Sequence, residues 1–334
     1  MSEQIPFVDV SEIERARTAI ADTIRVTPVN ASPYLSNLLD RPVHLKLEHT
    51  QISGSFKIRG ATNAIAGLTD DQKRAGVVGV STGNHGRGLA YAAKAAGIPC
   101  IVCMSKLAPQ AKIDGIEAEG AEVRIVGRSQ DEAQEEVVRL VADEGMTMIP
   151  PFDHRAVIAG QGTVGLELLD QVPDVATVLV PLSGGGLISG VAAAVKARRP
   201  QTTIIGITME RGAAMHACLH AGRPVLIDEL ATLADSLGGG IGLDNQLTFP
   251  MTRALVDDTL LVTEVGISAA IRHLYWRERQ IVEGSGSVGI AALLAGRIAS
   301  AGPVVAILSG GNIDMGQHHR IVSGEDVDVT REVA

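Results

Sequence analysis

Aromatic residues are scarce in this chain: one Trp, three Tyr and four Phe among 334 residues, 2% of the total. Single-stranded nucleic acids are held by stacking rings and duplexes by basic faces. The chain has few such rings and a formal net charge of −9, which argues against a nucleic-acid partner. No apolar run reaches the roughly 20 residues a membrane-spanning helix requires. Cysteines number three, too few and too odd for a disulfide framework, so reduced thiols are expected. Residues 1–10 show no basic-then-apolar leader pattern, and with the thiols this gives the expectation of a cytoplasmic address. Cys100 and Cys103 form a CxxC, but the apparent strand Ile101-Val102-Cys103-Met104 would point them to opposite faces. Buried thiols are therefore expected, not a redox pair or a metal clip. No lysine follows a glycine run in the Walker arrangement, and there is no sequence repeat or low-complexity segment.

Hydrophobic residues make up 46% of the chain, enough for a large core in one large domain or two. Short β-rich runs alternate with Ala-rich amphipathic stretches. Gly76–Val80 is followed by a helical pattern over Gly88–Ala96 and then by Pro99–Met104; further strands are expected at 121–126, 178–181, 203–208 and 304–308. Continuous apolar strands between helices predict an α/β fold with parallel-sheet cores flanked by helices. Residues 77–153 hold three such units and are expected to form a separate small lobe, with Pro150-Pro151 as the return crossing.

Four segments carry chemistry. Ser53-Gly54-Ser55-Phe56-Lys57-Ile58-Arg59-Gly60-Ala61 places a lysine ahead of a helical stretch, behind small residues and a ring. Partial desolvation there lowers the lysine pKa and frees the amine as a nucleophile. Leu182-Ser183-Gly184-Gly185-Gly186-Leu187 lies between a strand and a helix, where converging amides and the positive helix end make a phosphate cradle; a plain tight turn is the other reading. Ser81-Thr82-Gly83-Asn84-His85-Gly86-Arg87-Gly88 also follows a strand and opens a helix, and reads either as a carboxylate pocket or as ordinary capping by Ser81 or Thr82. Leu308-Ser309-Gly310-Gly311-Asn312 ends the last strand, where Ser309 would face a ligand crevice. A full G-x-G-x-x-G at Gly284–Gly289 lacks both a good preceding strand and an acidic partner about 20 residues on, and is set aside as a chance match.

Taken together, SGSFKIRGA, STGNHGRGLAYAAK, AVIAGQGTVGLEL, PLSGGGLISG and LSGGNID resemble the fold-type-II pyridoxal-phosphate enzymes of the threonine/serine dehydratase and serine racemase group, in family order across nearly the whole chain. The resemblance implies a two-domain, tryptophan-synthase-β-like fold, with residues 1–76 and 154–334 as a discontinuous cofactor domain and 77–153 as a small mobile one. It implies pyridoxal 5'-phosphate held as a Schiff base on Lys57, beside Phe56. Asn84 would meet the phenolate oxygen, Ser183, Gly184, Gly185, Gly186 and Leu187 the phosphate, and Ser309 the pyridine nitrogen. Ser81, Thr82, Gly83, Asn84 and His85 would take the substrate carboxylate. A neutral Ser309 hydroxyl makes the ring a mild electron sink, which suits loss of a β-leaving group. The implied reaction is dehydration of a β-hydroxy amino acid to a 2-oxo acid and ammonia, with Lys57 moving the α-proton; a homodimer is implied as well.

Three positions depart from the simple threonine enzymes. Thr82 stands where serine racemases carry an acid–base serine, so racemisation is the alternative activity. The family's divalent-cation site resembles Glu210 and the carbonyl of Ala214, but position 216 is His, a poor ligand for Mg²⁺ or Ca²⁺. No metal is assigned; His216 and His220, four apart, would share a helical face. The glycine-rich 234–245, together with 82–87 and 209–212, resembles the hydroxyectoine-utilisation dehydratase branch. A Schiff base needs a primary amine, so the substrate in that case is a ring-opened hydroxy-diaminobutyrate. Arg87 and Arg59 are candidates to meet an acidic group on such a substrate.

Overall fold

The computed structural model describes residues 7–81, 83–106, 108, 110–127, 130–327 and 329. In chain order the strands are β1 (Val29–Ala31), β2 (Val43–Lys46), β3 (Val77–Val80), β4 (Cys100–Met104), β5 (Glu122–Ile125), β6 (Thr147–Met148), β7 (Thr177–Pro181), β8 (Thr203–Met209), β9 (Asp258–Val262) and β10 (Val304–Ile307). They form a six-stranded sheet in the order β1-β2-β10-β7-β8-β9 and a four-stranded sheet in the order β5-β4-β3-β6. The α/β architecture with helix-flanked parallel cores is as the alternating pattern predicts. The exception is β1, which runs antiparallel to β2, with Asn30 opposite Leu45. Strands β1, β2, β6 and β9 went unread because they are short or mixed in polarity. The six apolar runs that were read all lie in described strands, and all five residues of β7 are buried, as a strand covered on both faces requires.

Two glycine contacts set the helix that begins with Lys57. Helix Lys57–Ala66 crosses helix Arg155–Gln171 so closely that a Cβ on Gly160 would stand 2.6 Å from the Arg59 carbonyl oxygen. On its other side a Cβ on Gly88, in helix Asn84–Ala96, would stand 2.9 Å from the Ile58 nitrogen. Two helices thus grip the first turn after Lys57 through backbone contact, which leaves little freedom for the lysine's Cα.

Beneath that turn lies a buried group of four charges. Arg59 donates from Nε to Glu48 at 2.8 Å and from Nη1 to Glu167 at 2.6 Å, while Lys46 Nζ meets Glu167 at 2.6 Å. The remaining Arg59 donors go to Glu48, Glu167, Thr163 Oγ1 and the Arg25 carbonyl. The group carries no net charge, and all four side chains are buried. Burial alone would push the Glu48 carboxyl up, but Arg59 beside it holds it below the usual carboxylate range. Arg59 therefore has no donor left for a substrate, which removes it as a candidate for an acidic substrate group.

Cys100 and Cys103 do face opposite ways from β4. Cys100 packs with Ile65 and Leu89, and Cys103 with Val137 and Leu140. Both are free thiols, as is the buried Cys218. Burial pushes Cys100 up to about 12, and burial together with the Glu136 carboxylate pushes Cys103 up to about 11.

Candidate active site

The site is built where the C-terminal ends of β10 and β7 meet the start of helix Lys57–Ala66. Ser55 forms an antiparallel bridge with Gly310, and the Phe56 amide donates to the Ser309 carbonyl at 3.1 Å. The lysine segment and the last glycine motif, some 250 residues apart in sequence, are thereby stitched side by side. Lys57 is half-buried, its Nζ 5.4 Å from the Phe56 ring centroid and donating to the Pro151 carbonyl at 2.8 Å. Burial lowers its pKa to about 8, against the opposing pull of Glu283. At neutral pH a usable fraction of this amine is uncharged, where an ordinary lysine offers almost none.

Pro151 is followed by Phe152, and Phe152 lies on the glycine loop. A Cβ on Gly184 would run into its ring, and a Cβ on Gly186 would stand 3.0 Å from its Cα. Gly185 has φ +88°, a conformation that favours glycine. Helix Gly186–Arg198 starts there, so the first-turn amides of Gly186, Leu187 and Ile188 have no acceptor within the helix. Ser183 is half-buried just ahead of them. One dipeptide thus links the lysine amine to an anion cradle whose shape excludes side chains.

Helix Asn84–Ala96 supplies the third wall. Ser81 Oγ accepts from the amides of Gly83 at 3.2 Å and Gly86 at 3.0 Å. This is the capping role that the sequence left open, and it leaves the Ser81 O–H free to donate elsewhere. The Asn84 side chain is buried and points inward. His85 turns away: its Nε2 pairs with the Ile149 carbonyl at 2.8 Å, and burial, with the nearby Lys57 charge, lowers its pKa to about 3. His85 is a neutral, structurally committed ring, and only its first-turn amide faces the loop. Thr82 lies outside the described residues.

Glu283 and Asn312 complete the site, and neither was given a role from sequence. Glu283 is 3% exposed and takes a 2.6 Å hydrogen bond from Asn84 Nδ2. Asn312 Nδ2 donates to Asn84 Oδ1 at 2.6 Å and to the Ser53 carbonyl at 3.0 Å. Burial pushes Glu283 up to about 7, with Asp235 adding to the shift. Glu283 immediately precedes the glycine pattern set aside as a chance match, and Asn312 sits within the quoted LSGGNID, so the signal for both was present.

The positions that resemble a cation site follow β8. Glu210 is exposed at the end of β8 and Ala214 is buried at a helix start, while His216 pairs with Thr259 Oγ1 and stacks on His220 at 4.2 Å. Among the described residues no three His, Cys, Asp or Glu side chains are grouped to hold a metal.

Comparison with known proteins gives the family. Residues 20–310 match the family described as pyridoxal-phosphate dependent enzyme. A Sinorhizobium fredii protein named "Putative threonine dehydratase" is 58% identical over 96% of this chain and 97% of its own length. The L-threonine ammonia-lyase of Thermotoga maritima is 38% identical over 98% of this chain and 81% of its own. Among solved structures, maize serine racemase superposes with a TM-score of 0.89 at 35% identity, covering 94% of this chain and 97% of that one.

Proposed function

The chain belongs to the pyridoxal-phosphate dependent enzyme family, and on that premise we propose that it is a dehydratase that eliminates water from a small β-hydroxy amino acid and, after hydrolysis of the enamine, yields a 2-oxo acid and ammonia. The observation that carries the reading is the Lys57 amine, half-buried, with a lowered pKa, and tied through Pro151 and Phe152 to a cradle only glycines can line. That cradle and that amine fit the two ends of the cofactor. Pyridoxal phosphate, bound through its aldehyde, supplies an electron sink for the substrate α-carbon.

The residues divide the work as follows. Lys57 would hold the cofactor's aldehyde end and, with its amine free, would take the substrate α-proton as base. Phe56 flanks it, and Ser183 with the amides of Gly184, Gly185, Gly186 and Leu187 holds the phosphate. Asn84 would donate to the phenolate oxygen. Ser309, buried at the end of β10, would meet the pyridine nitrogen with a neutral hydroxyl. Ser81, Thr82, Gly83, Asn84 and His85 take the substrate carboxylate, largely through first-turn amides. The β-hydroxyl leaves as water, and the released enamine hydrolyses to a 2-oxo acid and ammonia.

Threonine is the first candidate substrate, in keeping with the names of the two relatives, and serine, the smaller β-hydroxy amino acid, is the second. The finer assignment is a ring-opened hydroxyectoine amine. It is supported by the placement of segment 234–245: Ser236 Oγ lies 3.9 Å from the position of a Cβ on Gly83, so this glycine-rich stretch overlies the carboxylate loop. Racemisation is the second reading, favoured by the likeness to maize serine racemase and resting on Thr82 as the second acid–base. The half built on the four-stranded sheet, residues 77–153, would close over the substrate as a mobile domain, and the enzyme would work as a cytoplasmic homodimer.

A substrate panel tests the proposal. Cofactor-loaded protein is given L-threonine, L-serine, their D-isomers, 3-hydroxyaspartate and ring-opened hydroxyectoine products, while 2-oxo acid and ammonia are followed. Turnover of threonine or serine establishes a general dehydratase. Activity confined to the hydroxyectoine-derived amine assigns segment 234–245 to specificity. Inversion of configuration without ammonia release would replace the dehydratase reading with the racemase one.

A further inference from the structure

Glu283 occupies the N-cap of helix Gly284–Leu294, where a carboxylate normally bonds its own first turn. It makes no such bond. Its side chain instead crosses to Asn84, resting on Gly310, where any Cβ would collide with the carboxylate. The Glu283 amide donates to the Gly310 carbonyl at 3.1 Å, so the residue is pinned to the strand end that carries Ser309.

The hydrogen bonds around it run in one direction. Arg87 Nη1 donates to Asn312 Oδ1 at 3.4 Å, Asn312 Nδ2 donates to Asn84 Oδ1, and Asn84 Nδ2 donates to Glu283. Turning the Asn84 amide over would set its NH₂ against that of Asn312 and, wherever Glu283 is ionised, its carbonyl against a carboxylate. An amide has two N–H donors, and Glu283 uses one. We propose that Glu283 is a positioning residue of the cofactor site, holding the Asn84 amide in the single orientation from which its second N–H can donate to the cofactor's phenolate oxygen. The inference rests on Asn84 being the phenolate contact.

The charged surroundings fit that role. Lys57 approaches from helix Lys57–Ala66, Lys112 from helix Gln110–Glu117 and Asp235 from the turn Asp235–Leu237. Lys112 and Asp235 pair with each other at 2.7 Å. On helix Asn84–Ala96, His85 is committed to Ile149, and Arg87 reaches the carboxylate only through Asn312. Asn84 is therefore the only hydrogen-bond donor from a described side chain that meets this carboxylate, and the carboxylate is the acceptor that ends the chain of donors.

The test is a double-mutant cycle on cofactor affinity, measured by titrating apo-protein with pyridoxal phosphate and reading the visible absorbance of the bound form. Glu283→Leu and Asn84→Ala are each expected to weaken binding about tenfold or more, the worth of a charge-assisted hydrogen bond. Combined, they are expected to cost no more than Asn84→Ala alone. Glu283→Gln, which keeps an acceptor, should stay within about threefold of the wild type on the same reasoning. Additive losses in the double variant, or an unchanged affinity in Glu283→Leu, would overturn the inference while leaving Asn84 its contact. An unchanged affinity in Asn84→Ala would overturn the Asn84 assignment and the inference together. Glu283→Ala serves the same cycle should the leucine variant not fold.

Discussion

Two buried polar clusters flank the first turn of one helix, and they are built on opposite rules. Lys46, Glu48, Arg59 and Glu167 neutralise each other, and every Arg59 donor is matched. Two residues earlier, Lys57 has one carbonyl partner and the pull of Glu283, itself a carboxyl held by an amide. In the first cluster pairing overrides desolvation at Glu48, whose carboxyl is held below its usual range, although at Lys46 burial still lowers the amine. In the second desolvation wins, and an amine near 8 and a carboxyl near 7 stand poised around neutrality. Saturated pairing anchors a helix, whereas under-pairing leaves groups whose protons can move.

Exchanging the roles of these clusters is the sharpest way to break the contrast. Lys57→Ala should abolish turnover, a loss of at least about a thousandfold for a covalent catalyst, and remove the visible absorbance of bound cofactor. Its chemical denaturation midpoint should barely move. Arg59→Met should do the reverse in kind. Leaving buried Glu48 without its ion-pair partner and Glu167 with Lys46 alone costs about 3–5 kcal/mol, to be read from denaturant unfolding, and activity lost through misplacement of Lys57 should follow stability. If Arg59→Met unfolds at the wild-type midpoint, the two clusters are not different in kind.

A smaller effect sharpens the same comparison through pH. In the folded protein Glu283 keeps its proton up to about 7, while the unfolded chain releases it near the ordinary value of 4.5. Between those values the folded state binds more protons, so this group's contribution to stability falls as pH rises. Glu283→Gln should remove that fall, gaining about 2–3 kcal/mol at pH 8 relative to pH 4, measured as the difference between unfolding free energies at the two pH values. An identical pH dependence in wild type and variant would mean that Glu283 titrates alike in the folded and unfolded states.

Much of this was legible in the sequence, for reasons that can be named. Apolar runs such as those of β7 and β8 read as strands because burial on both faces leaves no polar alternation to confuse the pattern. Lys57, the triple glycine and Ser309 stood out because helix starts and strand ends impose local composition. Glu283 did not, because its importance is set by Asn84, 199 residues away, and its own neighbourhood imitated a different motif. Pro151 acts through a carbonyl, which no side-chain pattern can announce. His85 had the composition of a ligand but is taken by Ile149, a partner known only once β3 and the segment after β6 lie side by side. The resemblance to the fold-type-II family did carry, and the comparisons bear out the family, the cofactor and the dehydratase-like chemistry.

The thiols of β4 have a practical consequence. Oxidants and electrophiles attack the thiolate, and at neutral pH groups near 11 and 12 carry it in fewer than about one molecule in a thousand. Cys218 is shielded by complete burial. The folded enzyme is therefore chemically quiet at its three cysteines, and peroxide would find an exposed methionine such as Met315 before any of them.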